Sequence, residues 1–519
     1  MKTIINKYIT GLFICLCLGF TLSSCSEDTM DDINKNNNNP LNVDSRFIMT
    51  DLMVSSAFNV VGGDFSLYSS IYMEHHVGIH NQMYNAEIRQ GEPTSATTYN
   101  NTWLSGYEAI KMAKHVIKKT SDETSRDYGN NLTKGIAYIY LAYNAAILTD
   151  LFGDIPYYQA GELDERLLPV YYYPEIDKQE TIYEEIFANL DEAEKLIPLG
   201  DKGLTPGVAT QDVIYKGNAE LWMKVVHGLR ARYKMRLLAK SENKTTVLNE
   251  ILSDISKSFT SSGEEFKLNY NGDDQLNPLG AFSYSRDALA SSQSFLNKLA
   301  DRKDPRFNKM SVSYDTENVV SISDDELYFP APNGTPTQTQ FVYNIWTTDY
   351  TIAGATQMLS YHELLFLKAE AYARLHDSNA EGALKEAVKA GLANYDSSAK
   401  DCLLGNFNFD LAATSDEYFD TEVKPLFGAN PIKEIMIQKY LAFNGASGES
   451  VEAYNDYRRM QALDEDFITL ENPKNAEGKF PYRFVYGADE ASYNPNFNGL
   501  IGDGSYVYKE KVWWAGGTK

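Results

Sequence analysis

The sequence predicts a mainly α-helical protein, a tetratricopeptide-like helical repeat scaffold that carries a large irregular, loop-rich region. Three observations lead there. Residues 361–395, YHELLFLKAEAYARLHDSNAEGALKEAVKAGLANY, read as two helices joined by the polar turn HDSN, and this 35-residue span fits a 34-residue repeat. Several earlier segments repeat apolar residues at three- and four-residue steps, the period of a helix with one buried face. Between these regions, residues 258–357 abandon that period for Ser, Asn, Gly, Tyr and Pro.

The elements follow in chain order. Lys2 and Lys7 open a basic start, and Tyr8 to Leu22 form an apolar run. As a helix that run rises only about 22 Å, short of the roughly 30 Å hydrocarbon core of a bilayer. A basic start, a short apolar core and small residues at its end read as a secretory signal over residues 1–24. Leu22-Ser23-Ser24-Cys25 resembles the lipobox of bacterial lipoproteins, with Ser24 where Gly or Ala is usual. That resemblance implies cleavage before Cys25 and lipidation of its thiol. The competing reading is an ordinary signal with an incidental cysteine. Residues 25–44 are polar and Asn-rich, cannot bury enough apolar surface to fold, and are expected to form a flexible tether.

Residues 45–519 are expected to form one domain, with repeats at about 45–257 and 358–400, the irregular region at 258–357 and a loop-rich part at 401–519. SRFIMTDLMVSSAF at 45–58 has a Ser cap and apolar Phe47, Ile48, Leu52 and Met53. Residues 101–119 place Trp103, Tyr107, Ile110, Ala113 and Ile117 on one stripe and end in lysines, which suit a helix C-terminus. Helices are also expected at 135–152, 181–197, 219–238 and 432–441. In the 361–395 unit, Tyr361, Leu364, Leu365, Ala369, Tyr372 and Leu375 face small residues Ala380, Ala383, Ala387 and Gly391, which permits close approach of antiparallel helices. Such a unit cannot bury its apolar face alone, so further pairs should stack on it. MSVSY (310–314) and QFVYNIW (340–346) are the strand-like pieces of the irregular region. A hundred residues of loop in one domain mark an elaborated functional surface.

Composition excludes several functions. The net charge of −24, from 47 basic and 71 acidic residues, repels phosphate backbones and anionic lipid surfaces, so no nucleic-acid partner is expected. Contact with a membrane is expected through the lipid alone. Of four cysteines, Cys15 and Cys17 leave with the signal and Cys25 carries lipid, so the remaining Cys402 supports no disulfide framework. Nothing near Cys402 in the sequence suggests an activating base.

Seven segments together resemble one family: TDLFGDIPY (149–157), DVIYKGNAELWMKVVHGLRARYKMRLL (212–238), KDPRF (303–307), SYHELLFLKAEAYAR (360–374), IQKYLAFNG (437–445), AYNDYRRM (453–460) and PYRFVYGADEASYN (481–494). With the lipobox before them, they are similar in order and spacing to the SusD/RagB family of surface nutrient-binding outer-membrane lipoproteins. The resemblance spans nearly the whole chain. It implies a scaffold of four tetratricopeptide pairs, a surface-exposed lipid-anchored position at the outer membrane, and a SusC-like TonB-dependent transporter as partner. It also implies capture of oligosaccharides without chemistry, with peptides as ligands in some branches. The matched motifs belong to the scaffold, so they identify the fold and not the ligand.

Sugar recognition needs aromatic faces flanked by amides, carboxylates or arginines, and 36 Tyr, 5 Trp and many Asn supply them. Trp103, Tyr107, Tyr138, Tyr140 and Trp222 have helical spacing and are assigned to packing. In the family the ligand surface draws on the loop before the helix of Trp103 and on the irregular region after the central repeats, here 75–98 and about 281–350. The candidates there are Asn81, Tyr84, Tyr284, Tyr343 and Trp346, with Arg89 and Arg286 as polar partners. The competing reading of each is a loop residue packed on its neighbours. His76 and His80 have the four-residue spacing of zinc sites, but Glu74 precedes them and Gly78 weakens a helix, so no metal or cofactor is expected. A glycan-degrading hydrolase is the alternative from another class. It would need two carboxylates at a fixed separation, and the sequence has no G-x-S-x-G and no phosphate loop.

Overall fold

In the computed structural model, residues 43–90, 99–309, 311–312, 329–402 and 407–518 are described. Cys25 and the tether lie outside them, as do residues 91–98 of the first expected ligand loop. Helix α1 (Ser45–Ser55) runs on through a π turn at Ser56–Val61 and is followed by α2 (Asp64–Tyr72) and α3 (Asn81–Ile88). The long helices α4 (Asn100–Ser121), α5 (Asn131–Phe152), α6 (Gln179–Leu196), α7 (Ala219–Arg236) and α8 (Lys244–Ser256) come next. Short helices α9 (Pro278–Arg286) and α10 (Gln293–Ala300) precede α11 (Tyr361–Arg374), α12 (Ala380–Lys400), α13 (Pro431–Ala442) and α14 (Ser450–Ala462). The chain is mainly helical, as its periodicities predict.

Four pairs pack within themselves: α1 with α4, α5 with α6, α7 with α8, and α11 with α12. Each pair rests on the next, through α4 on α5, α6 on α7, and α8 on α11. This stacking satisfies apolar faces that no single pair could cover. Helix α5 is buried over almost its whole length because it is covered from both sides, which explains its nearly continuous apolar sequence. The small-residue stripe of α12 works as its spacing suggests. Ala383 and Ala387 are buried, and a Cβ at Gly391 would lie 3.1 Å from Ala442 of α13.

Among the described residues, three two-stranded antiparallel sheets pair distant segments: β1 (His76–Gly78) with β3 (Leu289–Ser291), β2 (Phe266–Leu268) with β6 (Thr356–Leu359), and β4 (Ser311–Val312) with β5 (Ile345–Trp346). The last joins the two strand-like pieces read from the sequence. Helices α9 and α10 stand where the sequence suggests only loop, and α14 where it suggests irregular chain. Helix α14 has a physical reason for being missed. Its buried side sets Asn455, Asp456, Arg458 and Arg459 among Val451, Tyr454 and Met460, so charged and polar residues interrupt its apolar stripe.

Those arginines belong to a buried ionic lattice that binds the repeats to the C-terminal part. Arg459 donates to both oxygens of Glu370 on α11, at 2.7 and 2.8 Å, and Arg374 adds a bond of 2.8 Å. Burial pushes the Glu370 carboxyl up, but Arg459 and Arg374 override it and hold the pKa at about 2. Arg232 on α7 forks onto Glu363, whose backbone N–H is capped by Ser360 Oγ at 3.1 Å. Lys439 of α13 meets Asp456 at 2.8 Å. Arg458 donates to the carbonyls of Asp150 and Tyr482 at 2.8 and 3.1 Å, and lies over the Tyr454 ring. Every one of these groups falls in a segment that carried the family resemblance, or bonds to one.

Candidate functional site

The two stretches expected to face a ligand meet through strand pairing. His76, Val77 and Gly78 lie opposite Ser291, Ala290 and Leu289. The ladder then widens. Ser291 N–H donates to Asn344 O, and Ala331 N–H to Ser291 O, both at 2.8 Å; Asn344 N–H reaches Phe329 O at 3.0 Å. Val77, Ile79, Ala290 and Ala331 form a small apolar kernel of their own, with Tyr343 packed on it. This kernel is the floor of the site.

Helix α9 supplies one wall. Asn277 caps it, accepting from Leu279 and Gly280 N–H at 2.9 and 3.0 Å, while its amide donates to Gly354 O and Ala446 O. That double anchorage fixes a helix of only nine residues. Tyr284 and Arg286, both exposed, lie on its last turn, and Tyr284 stands edge-on to buried Tyr350. Helix α3 supplies the other wall, with Asn81 exposed at its first position and Tyr84 half-buried. Tyr84 Oη donates to Pro336 O at 2.5 Å. Below it, Glu87 accepts from Gly334 N–H at 2.6 Å and from Asn472 Nδ2 at 3.0 Å. Burial pushes this carboxyl up to about 7 against the opposing pull of Arg89.

Between the walls runs 329–343. Phe329 and Tyr343 stack at 5.5 Å with 13° between their planes. Phe341 adopts φ 58°, a left-handed conformation rarely found for a bulky side chain, and its ring is 64% exposed. Asp287 holds that geometry. Its carboxylate accepts from Phe341 N–H at 2.8 Å, its carbonyl from Gln340 Nε2 at 2.9 Å, and it is itself left-handed at φ 40°. Asn81 and Arg89 have φ values of 49° and 51°. Left-handed non-glycine residues therefore bound both walls and the central loop, and such strain persists where surrounding contacts over-determine it.

Five of the seven sequence candidates, Asn81, Tyr84, Tyr284, Arg286 and Tyr343, thus sit exposed or half-buried on the elements that border this candidate surface. Two do not open onto it. Trp346 is fully buried, with Nε1 donating to His75 O at 2.7 Å and its ring against Phe295. Arg89 is buried with its guanidinium 4.8 Å from the Tyr72 ring centre, and it donates to Lys479 O and Glu87 O. Both are structural supports of the site. The sequence does not single out Phe329 or Phe341; QFVYNIW reads as a strand and gives no sign of the left-handed turn at Phe341.

The other expectations resolve locally. His76 Nε2 lies 2.6 Å from Asp349 Oδ2 inside the protein, on a strand and not a helix, while His80 precedes α3. Cys402 is buried. Trp103, Tyr140 and Trp222 are fully buried, and Tyr107 and Tyr138 pack partly buried against the same core.

The family model described as starch-binding and associating with the outer membrane, SusD-like, matches residues 37–487. Among solved structures, a SusD/RagB family protein from Bacteroides thetaiotaomicron is 41% identical, with 92% of this chain and all of that one covered at a TM-score of 0.85. A chitin-binding protein at 21% identity, covering 91% of this chain and all of its own, superimposes with a TM-score of 0.68. A SusD homologue from Bacteroides fragilis, 19% identical with 92% and 100% covered, gives 0.67; these last two show the shared fold. No curated protein matches the sequence. The chain belongs to the SusD-like family of starch-binding, outer-membrane-associated proteins.

Proposed function

We propose that this protein captures oligosaccharides at the face formed by α3, α9 and residues 329–343, and delivers them to a SusC-like TonB-dependent transporter. Lipid on Cys25 holds it at the outer surface of the outer membrane, and it performs no chemistry on its ligand. The observation that carries this reading is the strained, exposed Phe341, held by Asp287 just past the helix that bears Tyr284 and two residues before Tyr343 of the Phe329–Tyr343 stack. Flat rings held open by a rigid backbone suit the C–H faces of sugars, and Asn81 and Arg286 lie within the same surface to meet hydroxyls. The chitin-binding and starch-binding descriptions of relatives agree with a glycan ligand.

Isothermal titration with oligosaccharide and peptide panels at two salt concentrations tests this. Binding of an oligosaccharide that is insensitive to salt supports the reading. Binding of basic peptides alone, weakening as salt screens the charge of −24, replaces glycan by peptide. Release of shortened products assigns a hydrolase instead. Tyr284→Ala should lower sugar affinity by about tenfold, one step of roughly 1.4 kcal/mol.

A further inference from the structure

Residues 168–173, LPVYYY, are six uncharged residues in a row, and every one is exposed. They lie in the connection between α5 and α6, away from the elements that build the candidate face. Tyr172 is 70% and Tyr173 58% exposed, and Tyr158 and Tyr493 of neighbouring segments are open as well. Soluble surfaces scatter single apolar residues, but contiguous open patches mark interaction sites.

The backbone beneath these rings is fastened down. Lys114 on α4 donates to the carbonyls of Tyr157, Tyr158 and Ala160 at 2.7, 2.9 and 2.8 Å. Asp177 accepts from Tyr157 and Tyr158 N–H at 2.8 and 2.9 Å, and Gln159 Oε1 accepts from Glu175 N–H at 3.0 Å. Val170 N–H donates to Glu162 O at 2.9 Å. From the C-terminal part, Asn494 and Asn496 amides donate to Pro174 O and Tyr173 O at 2.9 and 3.1 Å. These bonds hold the loop backbone in place and leave Tyr171, Tyr172 and Tyr173 exposed, while Tyr158 packs edge-on to Tyr157 and donates to Thr181 O at 3.5 Å. A flexible loop exposing tyrosines would lose side-chain and backbone entropy on binding anything. Here the backbone share of that cost is already met by the fold.

We propose that Tyr158, Tyr171, Tyr172, Tyr173 and Tyr493 form a second glycan platform, distinct from the first face, that engages long polysaccharide chains. The inference rests on the glycan reading of the first face. The rings offer C–H-accepting faces and hydroxyls together, and although Glu162 pairs with Lys114 and Asp164 with Arg166, acids outnumber bases in the connection, which disfavours phosphate and anionic lipid. A protein partner would need some 800 Å² per side around an apolar centre, whereas Leu168 and Val170 are the aliphatic members here. Two contacts with one polymer multiply, because the second is intramolecular once the first has formed. Short oligomers fill one site and gain nothing from the other.

The test uses the full mature chain with amylopectin, colloidal chitin, xylan and mannan, and with the hexasaccharide of each. A platform variant, Tyr172→Ala with Tyr173→Ala, is compared with a face variant, Tyr284→Ala with Phe341→Ala. The platform variant should bind the hexasaccharide as the wild type does and lose tenfold or more in retention on the matching polymer. Tyr172→Phe with Tyr173→Phe should restore it. Unchanged polymer retention in the platform variant overturns the proposal while leaving the first face standing. Loss of hexasaccharide binding in that variant also overturns it, since one site would then explain both ligands. Polymer retention that is unchanged while co-purification with a membrane transporter is lost assigns the tyrosines to a protein contact. If the wild type binds none of the four polymers or hexasaccharides, the glycan reading fails and this inference fails with it.

Discussion

At the scale of single residues, the informative signal is strain. Phe341 at φ 58° costs about 1–2 kcal/mol relative to an unstrained conformation, and a glycine there would not incur that cost. Stability and recognition should therefore move in opposite directions. Phe341→Gly is expected to raise the unfolding free energy by up to about 1 kcal/mol in urea titrations, the strain relief being partly offset by the greater freedom of glycine in the unfolded chain. The same change should weaken oligosaccharide binding by about tenfold in calorimetry. A variant that is both less stable and fully able to bind would show that the ring serves packing, and that the left-handed turn is incidental. Trp346 illustrates the opposite case. As a tryptophan in a polar, loop-rich stretch it looks like a sugar platform, yet the structure spends it on a bond to His75 O and on Phe295. These partners are remote from it in sequence, His75 by 271 residues, which no local pattern records.

At the scale of elements, the long repeat helices are legible because each keeps a distinct apolar period and ends in usable signals, such as the lysines at the end of α4. The short elements and the C-terminal part are not. Helix α14 buries arginines, α9 and α10 are nine and eight residues long, and the strands have two to four residues. The two stretches of the site could be named from the family resemblance, but which side chains turn outward is decided by tertiary pinning. Glu87 is the clearest pin, since it ties α3 to Gly334 and to Asn472. Because burial raises its carboxyl to about 7 from an ordinary 4.5, the folded state favours the protonated form. Its contribution to stability is complete below about pH 4.5 and is lost as pH rises through about 7. Wild-type stability is thus expected to fall between pH 5 and pH 8 by up to about 3 kcal/mol more than that of Glu87→Gln. Chemical denaturation of both proteins at the two pH values checks this, and parallel curves would remove Glu87 as the source. Glu370, held at about 2, has the opposite sign and titrates below this window, so it does not confuse the comparison.

At the scale of the whole molecule, scaffold and site divide the chain between them. The ionic lattice of Glu370, Arg459, Asp456 and Lys439 joins repeat helices to the C-terminal part, and the recognisable motifs concentrate there. Such a lattice tolerates little change, because removing one partner leaves a buried charge unpaired at a cost of about 3–5 kcal/mol. The proposed binding face draws on other segments, residues 76–90, 278–291 and 329–346. Anchoring and recognition should then be separable. From Cys25 to Val43 the chain can span at most about 60 Å, so the lipid proposed on that thiol would limit how far from the membrane the protein works. Cys25→Ala is expected to remove the protein from the cell surface, read by protease accessibility on intact cells and by loss of metabolic fatty-acid labelling. Purified, the same variant should bind oligosaccharide with unchanged affinity. Weaker binding by the purified variant would make the tether part of the recognition surface, and undiminished surface display would assign the anchor to something other than Cys25.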